Sequence, residues 1–244
     1  MAKQWYIGCS GFYYKDWKEV FYPKGLPQAK WFEYYCQHFN TLELNVTFYR
    51  FPQLAQLQSW NRKAPDGFVF SVKAPQMITH QKKFAGTQSL AQEFYDMLNL
   101  GLEDKLGPVL FQLPPSLSYS EALLEMILDH MDPAFKNVIE FRHISWWRKE
   151  VIEALSRENI TFCGVSFPGL LDDVVINTLT PYYRFHGVPK LYYSPYDTTF
   201  LEQVVQTFRQ DEDVKEVYLY FNNTAAAAAL PNARYVQQLV MDQP

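Results

Sequence analysis

The sequence has little of what marks several large protein classes. It holds only three cysteines, Cys9, Cys36 and Cys163, spread over 244 residues with no C-x-x-C spacing. That excludes a disulfide framework or a zinc knuckle and points to a reducing compartment. No apolar run approaches the ~18 residues of a membrane-spanning helix. No apolar leader lies between Met1 and Trp5-Tyr-Ile-Gly8 either, so the expected setting is cytoplasmic, away from membranes. Positive charge is in deficit, with a net charge of −4, so no global field draws nucleic acid or an anionic surface. There is no G-x-G-x-x-G after the first apolar stretch and no P-loop, which leaves a dinucleotide or nucleoside-triphosphate fold without support. No linker or low-complexity break divides the chain, so one domain over residues 1–244 is expected. Oligomeric state has no signature in the sequence.

What the chain does have is an ordinary globular balance, 48% hydrophobic and 20% charged, with 17% aromatic residues. Its pattern is repetitive. Apolar strand-like segments run over Trp5–Cys9, Thr41–Tyr49, Phe68–Ala74, Gly107–Leu113, Asn137–His143, Ile160–Phe167, Pro181–Gly187 and Glu216–Asn222. The second is written in strict alternation, with Leu42, Leu44, Val46 and Phe48 on one face. Helical patterns separate most of them, with capping signatures at Ser118-x-x-Glu121 and Thr199-x-x-Glu202. Eight strands alternating with helices predict an α/β fold with parallel strands, of the single-domain TIM-like (β/α)8 barrel class. An open doubly wound sheet is the runner-up. The stretch from Pro168 to Thr180 is too short and irregular for a good helix.

Such a fold places its chemistry at the carboxyl ends of the strands. Asn137-Val-Ile-Glu-Phe-Arg-His143 reads as a buried strand, yet Glu140 and Arg142 share one face of it. Two buried charges are costly unless paired or used. The same polar parity on the other strands yields Ser10, Glu43, Asn45, Lys73, Gln112, Ser166, Arg184, His186, Tyr220 and Asn222. Lys73, Arg142 and Arg184 outnumber Glu43 and Glu140, which favours a ligand with a carboxylate or phosphate over a purely structural network. Asn223 or Thr224 would cap a one-turn helix in Ala225–Ala229, whose N–H groups suit a phosphate. His80 lies on a loop on the same face and is a further candidate contact. Glu43, Glu140 and His186 could also take Mg2+ or Mn2+, although three nearby cations oppose a metal. No cofactor is otherwise expected, and no metal ligand set is assigned. Cys9 is expected to pack rather than react. His143 is expected to be structural, and aromatics such as Trp17, Trp146 and Tyr196 either pack or wall a pocket.

Several of these segments together resemble the DUF72 family, the YecE-like proteins. The resemblance rests on Ile7-Gly-Cys-Ser-Gly11 with Trp17 and Phe21-Tyr-Pro23, and on Leu42-Glu-Leu-Asn-Val-Thr-Phe-Tyr49. It continues in Phe70-Ser-Val-Lys-Ala-Pro75 with Ile78-Thr-His80, in Gly107–Pro115, and in Glu140-Phe-Arg142 with Trp146. Tyr183-Arg-Phe-His-Gly187 and Tyr220-Phe-Asn-Asn223 complete it. The sequence departs from the family pattern at Ala225–Ala229 and at Pro168–Asp173. The resemblance implies a TIM-like barrel and no established reaction or cofactor. The expected activity is acid/base chemistry on a small anionic substrate, with His186, Glu140 and Glu43 as catalytic groups. Lys73, Arg142, Arg184, Asn45, Gln112, Tyr220, Asn222, Asn223, Ser10 and His80 would contact the ligand. A divalent-metal hydrolase or isomerase and a non-catalytic nucleotide or metabolite binder are the alternatives.

Overall fold

The computed structural model describes residues 3–241; the first two and last three positions of the expected domain lie outside them. In chain order the elements are β1 (Gln4–Ser10), α1 (Trp31–Tyr35), β2 (Thr41–Leu44), α2 (Val46–Tyr49), α3 (Leu54–Lys63) and β3 (Val69–Lys73). There follow α4 (Gln88–Leu102), β4 (Leu106–Gln112), α5 (Glu121–Leu128), β5 (Asn137–Glu140), α6 (Lys149–Arg157), β6 (Thr161–Phe162) and β7 (Gly164–Ser166). The chain closes with β8 (Tyr182–Phe185), α7 (Thr198–Gln210), β9 (Glu216–Phe221) and α8 (Ala229–Met241). This is the parallel β–α alternation of the TIM-like α/β class read from the sequence. Among the described residues no helix is long and apolar enough to cross a membrane.

By internal contacts the chain divides into two compact units, Met1–Glu43 with Gly164–Pro244, and Leu44–Cys163. In the first, parallel pairing joins β2 to β1, β1 to β9, β9 to β8 and β8 to β7. Gly8 is required in β1 because a Cβ there would run into the carbonyl oxygen of Thr41 and the hydroxyl of Tyr35. α7 buries Leu201, Val204, Val205 and Phe208, a 3.6-residue apolar stripe. Each such side chain contributes about 1.5–3 kcal/mol of burial free energy.

In the second unit β3, β4, β5 and β6 pair in sequence order, again parallel. α4 buries Ala91, Phe94, Tyr95, Leu98, Gly101 and Leu102. Gly101 lets that helix approach α3 so closely that a Cβ would strike the Leu57 side chain.

Four expectations are corrected. The alternation over Thr41–Tyr49 is not one strand, because Asn45 turns helical (φ −101°, ψ −9°) and α2 follows. Thr47 accounts for the switch: its single hydroxyl proton is shared between the carbonyl of Leu44 (3.1 Å), a local contact that competes with a strand ladder, and that of Lys73 on β3 (2.6 Å). The strand expected over Ile160–Phe167 is two, β6 and β7, interrupted at Cys163. The helix after Tyr119 is capped by Ser120, which accepts from the Leu123 N–H, rather than by Ser118. Asp197, accepting from the Phe200 N–H at 2.9 Å, caps α7 in place of Thr199; its carboxylate also suits the helix dipole.

Candidate functional site

In the second unit, three strands end on the polar residues the sequence singles out: β3 on Lys73, β4 on Gln112 and β5 on Glu140. Gln112 and Glu140 are register partners across β4 and β5. Lys73 Nζ donates to Gln112 Oε1 at 2.7 Å and lies 4.0 Å over the Phe48 ring. Arg142 lies just beyond β5, and its Nε donates to Glu140 Oε1 with both side chains nearly or fully buried. His80 stands edge-on to the same Phe48, with ring centroids 4.8 Å apart. Phe48 thus makes ring contacts with both Lys73 and His80.

His80 is held by an unusual backbone. After β3 the chain makes a π-helical turn over Met77–Gln81, a distortion that often marks functional positions. Lys83 and Phe84 then adopt left-handed φ values of 50° and 69°, which side chains other than glycine rarely take. Phe84 is fully buried and packs its ring near Phe111 and His130, which pins the strained turn in place.

Burial drives the His80 pKa down to about 4, followed by the charges of Lys73 and then Arg142; Glu140 opposes them and has less influence. The imidazole therefore sits in a net positive field and is neutral at pH 7. A base whose folded pKa lies below its unfolded value of 6.5 binds its proton more readily when unfolded. The stability it contributes is present above pH 6.5 and is lost as the pH falls toward 4. In urea denaturation from pH 7 to pH 4.5, wild type should therefore lose more stability than His80→Gln; equal losses would show that His80 is not depressed.

In the first unit, Glu43 at the end of β2 is the register partner of Ser10 at the end of β1. Arg184 Nη2 donates to Glu43 Oε1 at 2.6 Å, and the Tyr182 hydroxyl donates to Glu43 Oε2 at 2.6 Å. The carboxylate is 0% and the guanidinium side chain 1% exposed. Burial, then the Glu43 charge, pushes the Tyr182 phenol well up, so it stays a donor. Tyr220 shares a hydrogen bond of 2.6 Å with Thr41 Oγ1, and its ring lies 5.0 Å from that of Tyr182. His186 Nδ1 pairs with Asn222 Nδ2 at 2.9 Å. Asn223 Nδ2 donates to Ser194 O and Asn232 Oδ1, bracing the chain after β9.

The structure thus brings Lys73, His80, Gln112, Glu140 and Arg142 together in one unit. It joins Glu43 to Arg184 and His186 to Asn222 in the other. Asn45 is at the start of α2, half-buried. Ser10 has its carbonyl bonded by the Tyr14 hydroxyl. Residues 225–227 form a single 3-10 turn in which Thr224 makes no side-chain cap bond and Ala226 and Ala227 are left-handed. A regular one-turn helix presenting N–H groups is therefore not formed. Among the described residues no group of three or more His, Cys, Asp or Glu side chains is arranged to hold a metal.

Cys9 is fully buried and its thiol is pushed up by that burial, so it packs as expected. Trp17 is buried and donates from Nε1 to Thr224 O at 3.0 Å, and Trp146 stacks on Phe141 at 4.2 Å; both are core. His143 caps the turn that begins at Ile144. Sequence reasoning misses Phe48, Thr79 and Tyr182. Tyr182 shares parity with Arg184 and is legible on that ground. Phe48 reads in the sequence as part of the apolar face of a strand, but that strand ends four residues earlier.

A family described as "Protein of unknown function DUF72" matches residues 6–244. The UPF0759 protein YunF of Bacillus subtilis is 24% identical over 268 residues, covering 96% of this chain and 94% of that protein. The UPF0759 protein YecE of Escherichia coli K12 is 31% identical over 136 residues, 51% of this chain and 50% of YecE. The crystal structure of a DUF72 family protein from Thermotoga maritima superposes with a TM-score of 0.87 at 30% identity, covering 98% of this chain and 99% of that one.

Proposed function

The chain belongs to the DUF72 family, and we propose that it acts on a small substrate bearing a phosphate or carboxylate, bound at the Lys73–Arg142 cluster of its second unit. The observation that carries this reading is the convergence of Lys73, Gln112, Glu140 and Arg142 at the carboxyl ends of β3, β4 and β5, with Lys73 held by Gln112 and Arg142 by Glu140. Lys73 and Arg142 bind the anion, Gln112 steers the Lys73 ammonium, and Glu140 orients the Arg142 guanidinium. The Phe48 ring keeps one side of the cluster apolar, which strengthens charged contacts to a ligand. In the first unit, His186 is fully buried and held by Asn222, and we read it as part of that unit's scaffold. Arg184 with Glu43 we read as scaffold, since each meets the other's charge in a fully buried setting.

The test is a thermal-shift screen of small phosphorylated and carboxylated metabolites, with product analysis for each compound that stabilises the protein. Stabilisation by such anions and conversion of one of them supports the reading. Binding without any product supports the non-catalytic binder instead. Absence of stabilisation by every phosphate and carboxylate overturns the anion site.

A further inference from the structure

We propose that Thr79 fixes His80 as a neutral imidazole protonated on Nε2, so that His80 donates a hydrogen bond to the anion rather than accepting a proton from the substrate. The inference deepens the anion-site reading and rests on it for the ligand. Its first half rests on Thr79 alone. The Thr79 side chain is fully buried, and among the described residues the hydrogen-bond partner of its Oγ1 is His80 Nδ1, at 2.8 Å.

A hydroxyl carries one proton, and a neutral imidazole carries one N–H and one lone pair. If Nδ1 held the proton, it would donate to Thr79 Oγ1, and the buried hydroxyl proton would have no acceptor. With the lone pair on Nδ1, the hydroxyl donates and both groups are satisfied. A buried unsatisfied donor is costly, which selects the second arrangement. The proton then resides on Nε2, the nitrogen through which His80 would meet a ligand. The surroundings agree: Lys73 and Arg142 disfavour the imidazolium more than Glu140 favours it. A neutral donor beside two cations suits an oxygen that is anionic or becomes so during reaction. Thr79 is thus a positioning residue, and its bond to the neighbouring His80 on the π-helical turn orients the ring as well as setting the tautomer.

The experiment is long-range 1H–15N correlation of the His80 imidazole in the whole protein at pH 7, with and without inorganic phosphate. The expected spectrum shows the Nε2–H tautomer dominating in both states. Thr79→Val, nearly isosteric, should give mixed tautomers and weaken phosphate about tenfold, and Thr79→Ser should restore both. A dominant Nδ1–H tautomer in wild type overturns the proposal, as does a Thr79→Val protein with unchanged tautomer and affinity. Should Thr79→Val fail to fold, the wild-type spectrum still decides. Phosphate that does not bind while Nε2–H dominates sinks the anion reading alone. Phosphate bound beside an Nδ1–H ring sinks this one alone.

Discussion

Replacing Lys73 by Met and Arg142 by Gln together should weaken inorganic phosphate binding by about 10²–10⁴-fold. A hydrogen bond to a charged group contributes about 1.5–3 kcal/mol, and two of them sum to about 3–6 kcal/mol, which is that range in affinity. Methionine keeps an apolar stem against Phe48, so the packing under the Lys73 ammonium is largely preserved. The Arg142→Gln change would leave Glu140 buried beside a neutral partner, and some stability is lost with it. Adding Glu140→Gln to the double variant removes that charge and separates the two effects. Isothermal titration of both proteins is the measurement. An affinity within threefold of wild type in both would show that these cations do not hold the anion.

Arg184→Met should lower the unfolding free energy by about 3–5 kcal/mol, the cost of leaving a buried carboxylate without its cation. The Glu43 carboxylate is fully buried, and its Oε1 accepts from Arg184 Nη2. Tyr182 continues to donate to Oε2 in the variant, so the loss reports mainly on the ion pair. Adding Glu43→Gln removes the stranded charge and preserves an acceptor for Tyr182, and most of the lost stability should return. Urea denaturation of wild type, the single variant and the double variant measures this coupling. A single-variant loss under about 1 kcal/mol would contradict a scaffold role for the pair.

The strand ends are legible in the sequence because charge at a buried parity is rare enough to notice. Glu140, Arg142, Lys73 and Gln112 stand where that parity places them, at or just beyond the carboxyl ends of β3, β4 and β5. The partners are not legible. The sequence offers Arg184 two carboxylates of the same parity, Glu43 and Glu140, and only the bond from Arg184 Nη2 to Glu43 Oε1 shows which one it meets. Local polar competition explains most element errors. Thr47 ends a strand through a hydroxyl contact shared by two carbonyls that alternation cannot reveal, and Ser120 and Asp197 each displace a nearby hydroxyl residue as the cap. Thr79 escapes a sequence reading because a threonine beside a histidine has no significance until burial removes every other acceptor from its hydroxyl.

On the proposed reading, the second unit holds an anion between Lys73 and Arg142. Crystals grown with selenate test it directly, since selenium locates a tetrahedral anion by anomalous scattering. The account predicts a selenium peak with oxygens about 2.7–3.2 Å from Lys73 Nζ and the Arg142 guanidinium. Selenate bound only at exposed lysines, with no peak at this cluster, would contradict it.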